Sequence, residues 1–396
     1  MDRRTFLELL GAGGAAALVS CSSGGCTTKV LESLRPWEGP LDPAGERDIR
    51  LRLAAWALLA PSAHIKQPWV VDLRGEGIAL HVDPRRLLPE TDPESRQIMV
   101  SQGTFLEVLS IAATHEGVRA VIELFPEGVA SSGDIGERPV AHVSLVEEKD
   151  LPEDRLFPFI RRRHTNRRRY GGPALTDEEV DRLAAAVRTG GIRFRCLRQP
   201  AEVSRAAALM TEAMRTEATT PRMHAETVGM LRFDDAESER HRDGIALPNL
   251  GLTGLRLVAA RAFVNRRNAS GAAFVKRTVD VTREQASSAP ALGVLSSAST
   301  TRADEVEVGR AFARLHLEAT ALGLALHPMS QVLEIEEQKT RFVQEVLASS
   351  TDEPQMVFRL GRATATPHSP RRALATCVRP GNGAAALTAH WRTSSI

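Results

Sequence analysis

Residues 103–117 read GTFLEVLSIAATHEG, and residues 309–323 read GRAFARLHLEATALG. Laid over each other, both stretches begin and end on glycine at equal spacing, and Ala113-Thr114 falls at the same offset as Ala319-Thr320. Each is apolar around a wide face, the pattern of a mostly buried helix. Each runs on into a short apolar segment that starts like a strand, so the pair reads as two copies of one structural unit.

Outward from the first copy, Arg47 to Leu59 is apolar at Ile49, Leu51, Leu53, Ala54, Trp56 and Leu58 with no breaker before Pro61, which predicts a helix. Trp69 to Leu73 and Ile78 to Val82, joined by a turn at Gly75 to Gly77, predict a hairpin. Strand patterns follow at Val118 to Phe125 and Val140 to Val146. A helix over Thr176 to Val187 carries Asp177, Glu178 and Glu179 in its first turn, where the helix dipole favours acids. Around the second copy come a strand at Ile192 to Leu197, a helix at Glu202 to Thr216 and a strand at Leu292 to Ser296. The repeated helix over Ala303 to Leu322 and a strand at Met356 to Leu360 complete the pattern. Residues 217–270, with His224, His241 and the apolar piece Leu247 to Val258, break the repeat. They read as helical segments covering something, either a mobile lid or a third small domain.

With 396 residues, 42% of them hydrophobic and 25% charged, the chain has a globular composition and the length for one large core or two ordinary ones. A net charge of +2 supplies no global field for nucleic acid, which is excluded as a partner. The four cysteines, Cys21, Cys26, Cys196 and Cys377, show neither CxxC nor metal-ligand spacing, so no disulfide framework and no metal are expected. The first residues read as an address. Asp2-Arg3-Arg4-Thr5-Phe6-Leu7 resembles the twin-arginine export motif, and Leu9 to Ser20 is apolar but too short for a membrane span. Leu18-Val19-Ser20-Cys21 resembles a lipobox, leaving either a lipidated Cys21 or a plain export signal. Residues 22–45, rich in Ser, Gly and Pro, read as a linker.

Before the second half lies Ile160 to Gly172, IRRRHTNRRRYGG, six arginines broken only by His164, Thr165 and Asn166. The apolar Leu156, Phe157, Phe159 and Ile160 lead into it, so the run is held between structured pieces. Guanidinium forks around a hydroxyl suit phosphate best among anions; a solvated charge run is the plain alternative. Asp83, Glu90, Asp92 and Glu94 read as solvated or paired with Arg85, Arg86 and Arg96. Ser62 has no triad signature, and no residue is assigned to catalysis.

Taken in order, PSAHIKQPW at 61–69, the repeated helix, RHTNR at 163–167, GLALHPMSQ at 323–331 and PRR at 370–372 resemble the nitroreductase-like flavoproteins. More narrowly they resemble the Acg-like branch, in which two nitroreductase units share one chain; the similarity runs from about Arg52 to Leu374. The resemblance implies an α+β fold of two fused nitroreductase-like units, each a sheet flanked by helices, packed as an intrachain pseudo-dimer. The units would span 46–150 and 151–376, the second carrying the insertion at 217–270, with a signal at 1–21 and a tail at 377–396.

It also implies FMN, held in one composite site between the units. Arg163, Thr165 and Arg167 match the family's phosphate motif, and Arg371 and Arg372 match its basic tail residues. Pro61, Ser62, Ala63 and Gln67 match the loop that covers the ring, with Ile65 where the family has Asn and Lys66 beside it. Met329, Ser330 and Gln331, after Pro328, match the segment at the flavin N5 edge. The implied activity is that of an exported FMN-dependent oxidoreductase acting on a small redox substrate such as a quinone or nitro compound; the alternative is a non-catalytic flavin-sequestering protein. NADH and NADPH are not expected outside the cytoplasm, so the donor stays open. The expected partners besides substrate are the twin-arginine export machinery and, through a lipidated Cys21, the membrane.

Overall fold

The computed structural model describes residues 31–38, 47–131, 133–188, 190–348 and 351–379. The readings of an export motif and of a lipidated Cys21 lie outside the described residues. Helix α1 (Ile49–Ala57) starts at Asp48, whose carboxylate accepts the Arg50 N–H at 2.9 Å. The hairpin β1 (Trp69–Arg74) and β2 (Gly77–Val82) follows, then α2 (Arg96–His115), β3 (Val118–Leu124) and β4 (Ala141–Glu147). These four strands form one antiparallel sheet in the order β1-β2-β4-β3.

Helix α3 (Asp177–Ala186) begins with a capping box between Thr176 and Glu179. It is followed by β5 (Ile192–Leu197), α4 (Pro200–Thr219), α5 (Pro221–Gly229), the two-residue strand β6 (Leu231–Arg232), α6 (Asp235–His241) and β7 (Ile245–Ala246). Then come α7 (Gly254–Phe263), α8 (Arg266–Ala269), α9 (Ala272–Ser287), β8 (Ala291–Ser297), α10 (Arg302–Ala321), β9 (Ala325–Pro328), α11 (Gln331–Glu334), α12 (Glu336–Glu345) and β10 (Glu353–Gly361). The second sheet has the order β5-β8-β10-β9. Both sheets thus place their strands first, second, fourth, third, with a repeated helix after the second strand. In the second sheet everything from α4 to α9 is inserted between the first strand and the second.

The repeated helices pack on each other along their length, and the glycines that begin each copy mark the crossing. A Cβ at Gly103 would lie 1.9 Å from the Val306 carbonyl oxygen, and one at Gly309 would lie 2.0 Å from that of Val100. Each carbonyl belongs to the residue three before the other glycine, so the contact is reciprocal. Val306, Ala313 and Leu317 of α10 contribute to the core of the first sheet, while Val100 of α2 joins a core of the second.

One buried ion cluster breaks the symmetry: Glu107 accepts from Arg310 Nε at 3.1 Å and Arg314 Nη1 at 2.9 Å, and Arg314 Nη2 reaches Asp154 at 2.7 Å. Replacing Glu107 by Ala would leave the buried Arg314 with Asp154 alone and the half-buried Arg310 with Glu307 alone. We expect a loss of about 3 kcal/mol, read as a lower urea midpoint at unchanged slope.

The outermost described segments pack on the core of the first sheet, through Trp37 on one side and Leu374, Cys377 and Val378 on the other. After β10 the chain returns to the first sheet, where Val71 N–H donates to Cys377 O at 2.7 Å and Arg379 N–H to Val71 O at 2.8 Å. Residues 377–379, expected in a tail, therefore edge β1. Within the expected linker, Glu32–Trp37 is a 3-10 turn that buries Trp37, whose Nε1–H donates to Ser369 O at 2.8 Å. The turn is too short to show periodicity, and one tryptophan holds it. Among the described residues no helix is long and apolar enough to cross a membrane.

Candidate functional site

The loop 61–69 is held in an unusual backbone. Ser62 Oγ accepts the Gln67 N–H at 3.0 Å, the Ala63 N–H donates to Ser101 Oγ of α2 at 3.0 Å, and Thr104 Oγ1 donates to Pro61 O at 2.5 Å. Between these anchors His64, Ile65 and Gln67 take φ values of 45°, 58° and 49°. A β-branched residue in that left-handed region is strained and persists only where its surroundings over-determine it. Gln67 is the clamp: fully buried, it donates from Nε2 to Arg242 O at 2.8 Å, and its Oε1 accepts the Arg372 N–H at 2.8 Å. Gln67→Ala leaves the Arg372 N–H buried and unsatisfied and removes the partner of the half-buried Arg242 carbonyl, and we expect a lower thermal midpoint corresponding to about 2–3 kcal/mol.

Pro61, Ser62, Ala63, His64 and Ile65 face a cavity of about 1350 Å3, whereas Gln67 and Lys66 are not part of its wall. Ser62 retains its own proton to donate. The His64 Nδ1 is buried without a partner. Burial, reinforced by the charge of Arg167, holds this imidazole down at about 4, so it is neutral near pH 7.

The arginine run enters the same cavity. Arg163 and Arg371 are 3% and 2% exposed, and both donate to one carbonyl, Leu59 O, at 3.0 Å and 3.3 Å. Both lie over the Trp37 ring, at 5.7 Å and 4.5 Å from its centroid. Arg371 also donates to Ser369 Oγ at 2.6 Å, but its Nε is buried without a partner. Among the described residues no carboxylate comes within ion-pair distance of Arg163, Arg167 or Arg371. Burial pulls Arg163 down to about 9, burial and then Arg359 pull Arg167 down to about 10, and burial followed by Arg163 pulls Arg371 well below its ordinary value. A guanidinium resists giving up its proton, so these depressions express electrostatic strain that a bound anion would relieve.

The expected single clamp is in two parts. The chain pairs Thr165 with Leu326 in an isolated parallel bridge, and the Asn166 N–H donates to Leu326 O at 2.9 Å. Arg163 stands beside Arg371, whereas Arg167 feels Arg359 and bonds Asn249 O at 3.3 Å. Thr165 faces the cavity between them. Arg372, expected at the phosphate, is not on the wall: it donates to Gln67 O at 2.9 Å and Trp69 O at 3.1 Å and lies 3.6 Å from the Asp83 carboxylate.

Met329, Ser330 and Gln331 reach the wall from the second sheet. The Met329 N–H donates to Val357 O at 2.8 Å, and Ser330 Oγ both donates to Val357 O and accepts the Val357 N–H, at 3.2 Å each. The Ser330 hydroxyl and the Met329 N–H are engaged, and the Gln331 side-chain amide lies on the wall beside them. Asp92, Glu217 and Glu334 are acidic residues of the same wall. Asp92 accepts the N–H groups of Gln97 and Ile98 at 3.1 Å and 3.0 Å, and burial together with Glu334 pushes it up to about 7. It serves α2 rather than an arginine, while Asp83 pairs with Arg85 at 2.9 Å as expected. His224 Nε2 lies 3.0 Å from Ala269 O, and no group of His, Cys, Asp and Glu among the described residues could hold a metal.

The roof is the 217–270 insertion with α9, through Leu247, Leu250, Ala260, Phe263 and Phe274. It is tied to the rest of the chain by polar contacts: Thr91 Oγ1 to Glu226 at 2.6 Å, Arg86 to Asp243 at 2.8 Å, Ser33 Oγ to Glu239 at 2.6 Å and Asn249 Nδ2 to Pro367 O at 2.8 Å. His64, Asp92 and the roof residues carry no motif of their own, so reading the sequence did not single them out for the site.

No protein-family model matches the sequence. A putative NAD(P)H nitroreductase of Mycobacterium tuberculosis is 26% identical over 336 residues, covering 81% of this chain and 88% of the relative. Another of that organism, named acg, is 25% identical over 324 residues, covering 80% of this chain and 91% of the relative. The solved structure of a putative nitroreductase from Anabaena variabilis matches 85% of this chain and 93% of its own at 12% identity, with a TM-score of 0.41, a likeness too weak to bear an argument. The sequence relatives support placing this chain among the nitroreductase-like proteins.

Proposed function

We propose that the chain is an exported FMN-dependent oxidoreductase of nitroreductase type, in which two nitroreductase-like units, 46–150 and 151–376, build one flavin site that passes electrons to a small acceptor such as a quinone or nitro compound. The observation that carries this reading is the pair Arg163 and Arg371, buried beside each other on a cavity wall with no carboxylate among the described residues to neutralise them. Two like charges in that position are costly until a dianion lies between them, and a phosphate monoester is such an anion. The cavity exceeds the roughly 300–1,000 Å3 of ordinary small-molecule sites, which leaves room for an acceptor beside a flavin.

Bound FMN would supply the two-electron chemistry. The protein's part is placement: Arg163 and Arg371 hold the phosphate, Thr165 and Arg167 continue along the same wall, and the strained 61–65 loop with Gln331 meets the ring. The neutral His64 offers a hydrogen bond there without a charge. The relatives' names specify NAD(P)H as donor, and export would require another reductant.

The test is flavin content. Purified protein should be yellow, bleach with an artificial reductant under anaerobic conditions, and reoxidise rapidly with menadione or a nitroaromatic. A flavin inert to every acceptor overturns the enzyme; a colourless protein that fails to bind added FMN overturns the cofactor. For the address, the mass of the mature N-terminus decides: an acylated Cys21 supports anchoring, and an intact Met1 overturns export.

A further inference from the structure

Helix α7 carries two apolar faces. Leu257 and Val264 pack inward around Ala260 with Leu252 and Phe274. On the outer face Leu255 is 55% and Val258 64% exposed, three residues apart on one stripe; Phe263, at the helix end on the cavity wall, is 50% exposed. These are half of the large hydrophobic residues that stand exposed among the described residues. Single exposed apolar side chains are ordinary, but Leu255 and Val258, neighbours one turn apart on the same helix face, call for a partner.

The charge around them is one-sided. Residues 244–279 contain Arg256, Arg261, Arg266, Arg267, Lys276 and Arg277 and not one Asp or Glu, in a chain whose 51 basic and 49 acidic residues otherwise nearly balance. Arg261 and Arg266 reach Asp235 and Glu237 at 3.2 Å and 3.4 Å, and Lys276 and Arg277 reach Asp280 and Glu284, beyond this stretch, at 2.6 Å and 3.3 Å. Arg256 and Arg267 have no carboxylate partner among the described residues, and both stand exposed at the cavity wall, to which Ala260 and Phe263 also belong. The two unpaired arginines therefore stand at the cavity wall, Arg256 on the helix that carries the apolar stripe and Arg267 just after it.

We propose that α7 is a docking helix for an anionic lipid bilayer, with Leu255 and Val258 entering the headgroup region and Arg256 and Arg267 meeting lipid phosphates. A short amphipathic helix with arginines beside its apolar stripe has the composition of an interfacial element, and one such helix holds a protein reversibly. A second copy of the chain is the weaker occupant: a two-fold contact through α7 would set the same arginines against themselves. The consequence, which rests on the flavin reading above, is that a bilayer-dissolved acceptor would reach the cavity from the lipid side.

The experiment uses the full chain with Cys21→Ser, so that no acyl group contributes, and vesicles of phosphatidylcholine with or without phosphatidylglycerol. Co-sedimentation should require the anionic lipid, weaken in high salt, and fall by about tenfold in the Leu255→Ser/Val258→Ser variant. Neither residue lines the cavity; an unchanged thermal midpoint shows that the variant is folded. Equal binding to both vesicle types, equal binding by parent and variant, or a dimer in sedimentation velocity that the variant dissolves would each overturn the proposal. Vesicle binding is read without flavin, so its failure is distinct from failure of the cofactor assignment.

Discussion

Arg163→Met combined with Arg371→Met should abolish flavin retention and, in the flavin-free protein, raise the thermal midpoint. The two effects have one cause. Each guanidinium would give a phosphate charge-assisted hydrogen bonds worth about 1.5–3 kcal/mol, so losing both weakens binding by roughly 10²–10⁴-fold. Without the anion, the same side chains are buried beside each other, and both are held below their ordinary proton affinity chiefly by burial. Exchanging such charges for apolar groups of similar length removes that penalty and keeps contact with Trp37, a gain of about 1–4 kcal/mol. Arginines that serve the fold behave in the opposite way. Arg314, paired with the Glu107 and Asp154 carboxylates, should destabilise the protein when replaced.

Calorimetry on flavin-free parent and double variant, with and without FMN, reads both quantities. FMN at a hundredfold excess over its dissociation constant should raise the parent's stability by about 2.7 kcal/mol and leave the variant unmoved. A double variant that unfolds earlier than the parent, or that still binds FMN, would remove the pair from the phosphate site.

Much of this arrangement is legible in the residues because local and tertiary preferences agree. The hairpin 69–82 shows its alternation, α3 shows its cap and acidic first turn, and the two GxxxxxxxxxAT copies show the buried helices. The parts that stay hidden are those whose structure is set by distant chain. Helices α9 (Ala272–Ser287) and α12 (Glu336–Glu345) bury only a few side chains each, among them Val279 and Ala286 in the first and Gln338 and Phe342 in the second, and both pack on α4. Trp37 sits in a segment of linker composition, yet it lies beneath two arginines more than a hundred residues away. Arg371 and Arg372 are adjacent in sequence and look equivalent. The backbone sends one into the cavity and the other to the carbonyls of Gln67 and Trp69. Ile65 is recognisable as a departure within the covering loop, but its positive φ is visible only in the fold.

Gly103→Ala and Gly309→Ala should each cost about 3 kcal/mol or more, although alanine is the better helix former by about 1 kcal/mol. The methyl groups would meet backbone carbonyls at 1.9 Å and 2.0 Å, and a backbone atom in a packed helix cannot swing aside as a side-chain end can. The helices must separate, which opens the cores on both sides of the seam, at Val306, Ala313 and Leu317 on one side and at Val100 on the other. Because a Cβ at Gly309 also falls 2.9 Å from the Gly103 Cα, the first substitution already creates the space that the second one needs. The double variant should therefore lose clearly less than the sum of the singles. Gly229→Ala, whose Cβ would meet nothing within 4 Å, serves as the neutral control.

The crossing also sets the width of the site. Ser101 and Thr104 of α2 carry the 61–65 loop, and α10 carries Phe312 on the opposite wall, so the same single variants should retain less flavin at temperatures where they remain folded. Strictly additive losses in a urea double-mutant cycle, or full flavin content in both singles, would show that the repeated glycines do not form one shared crossing.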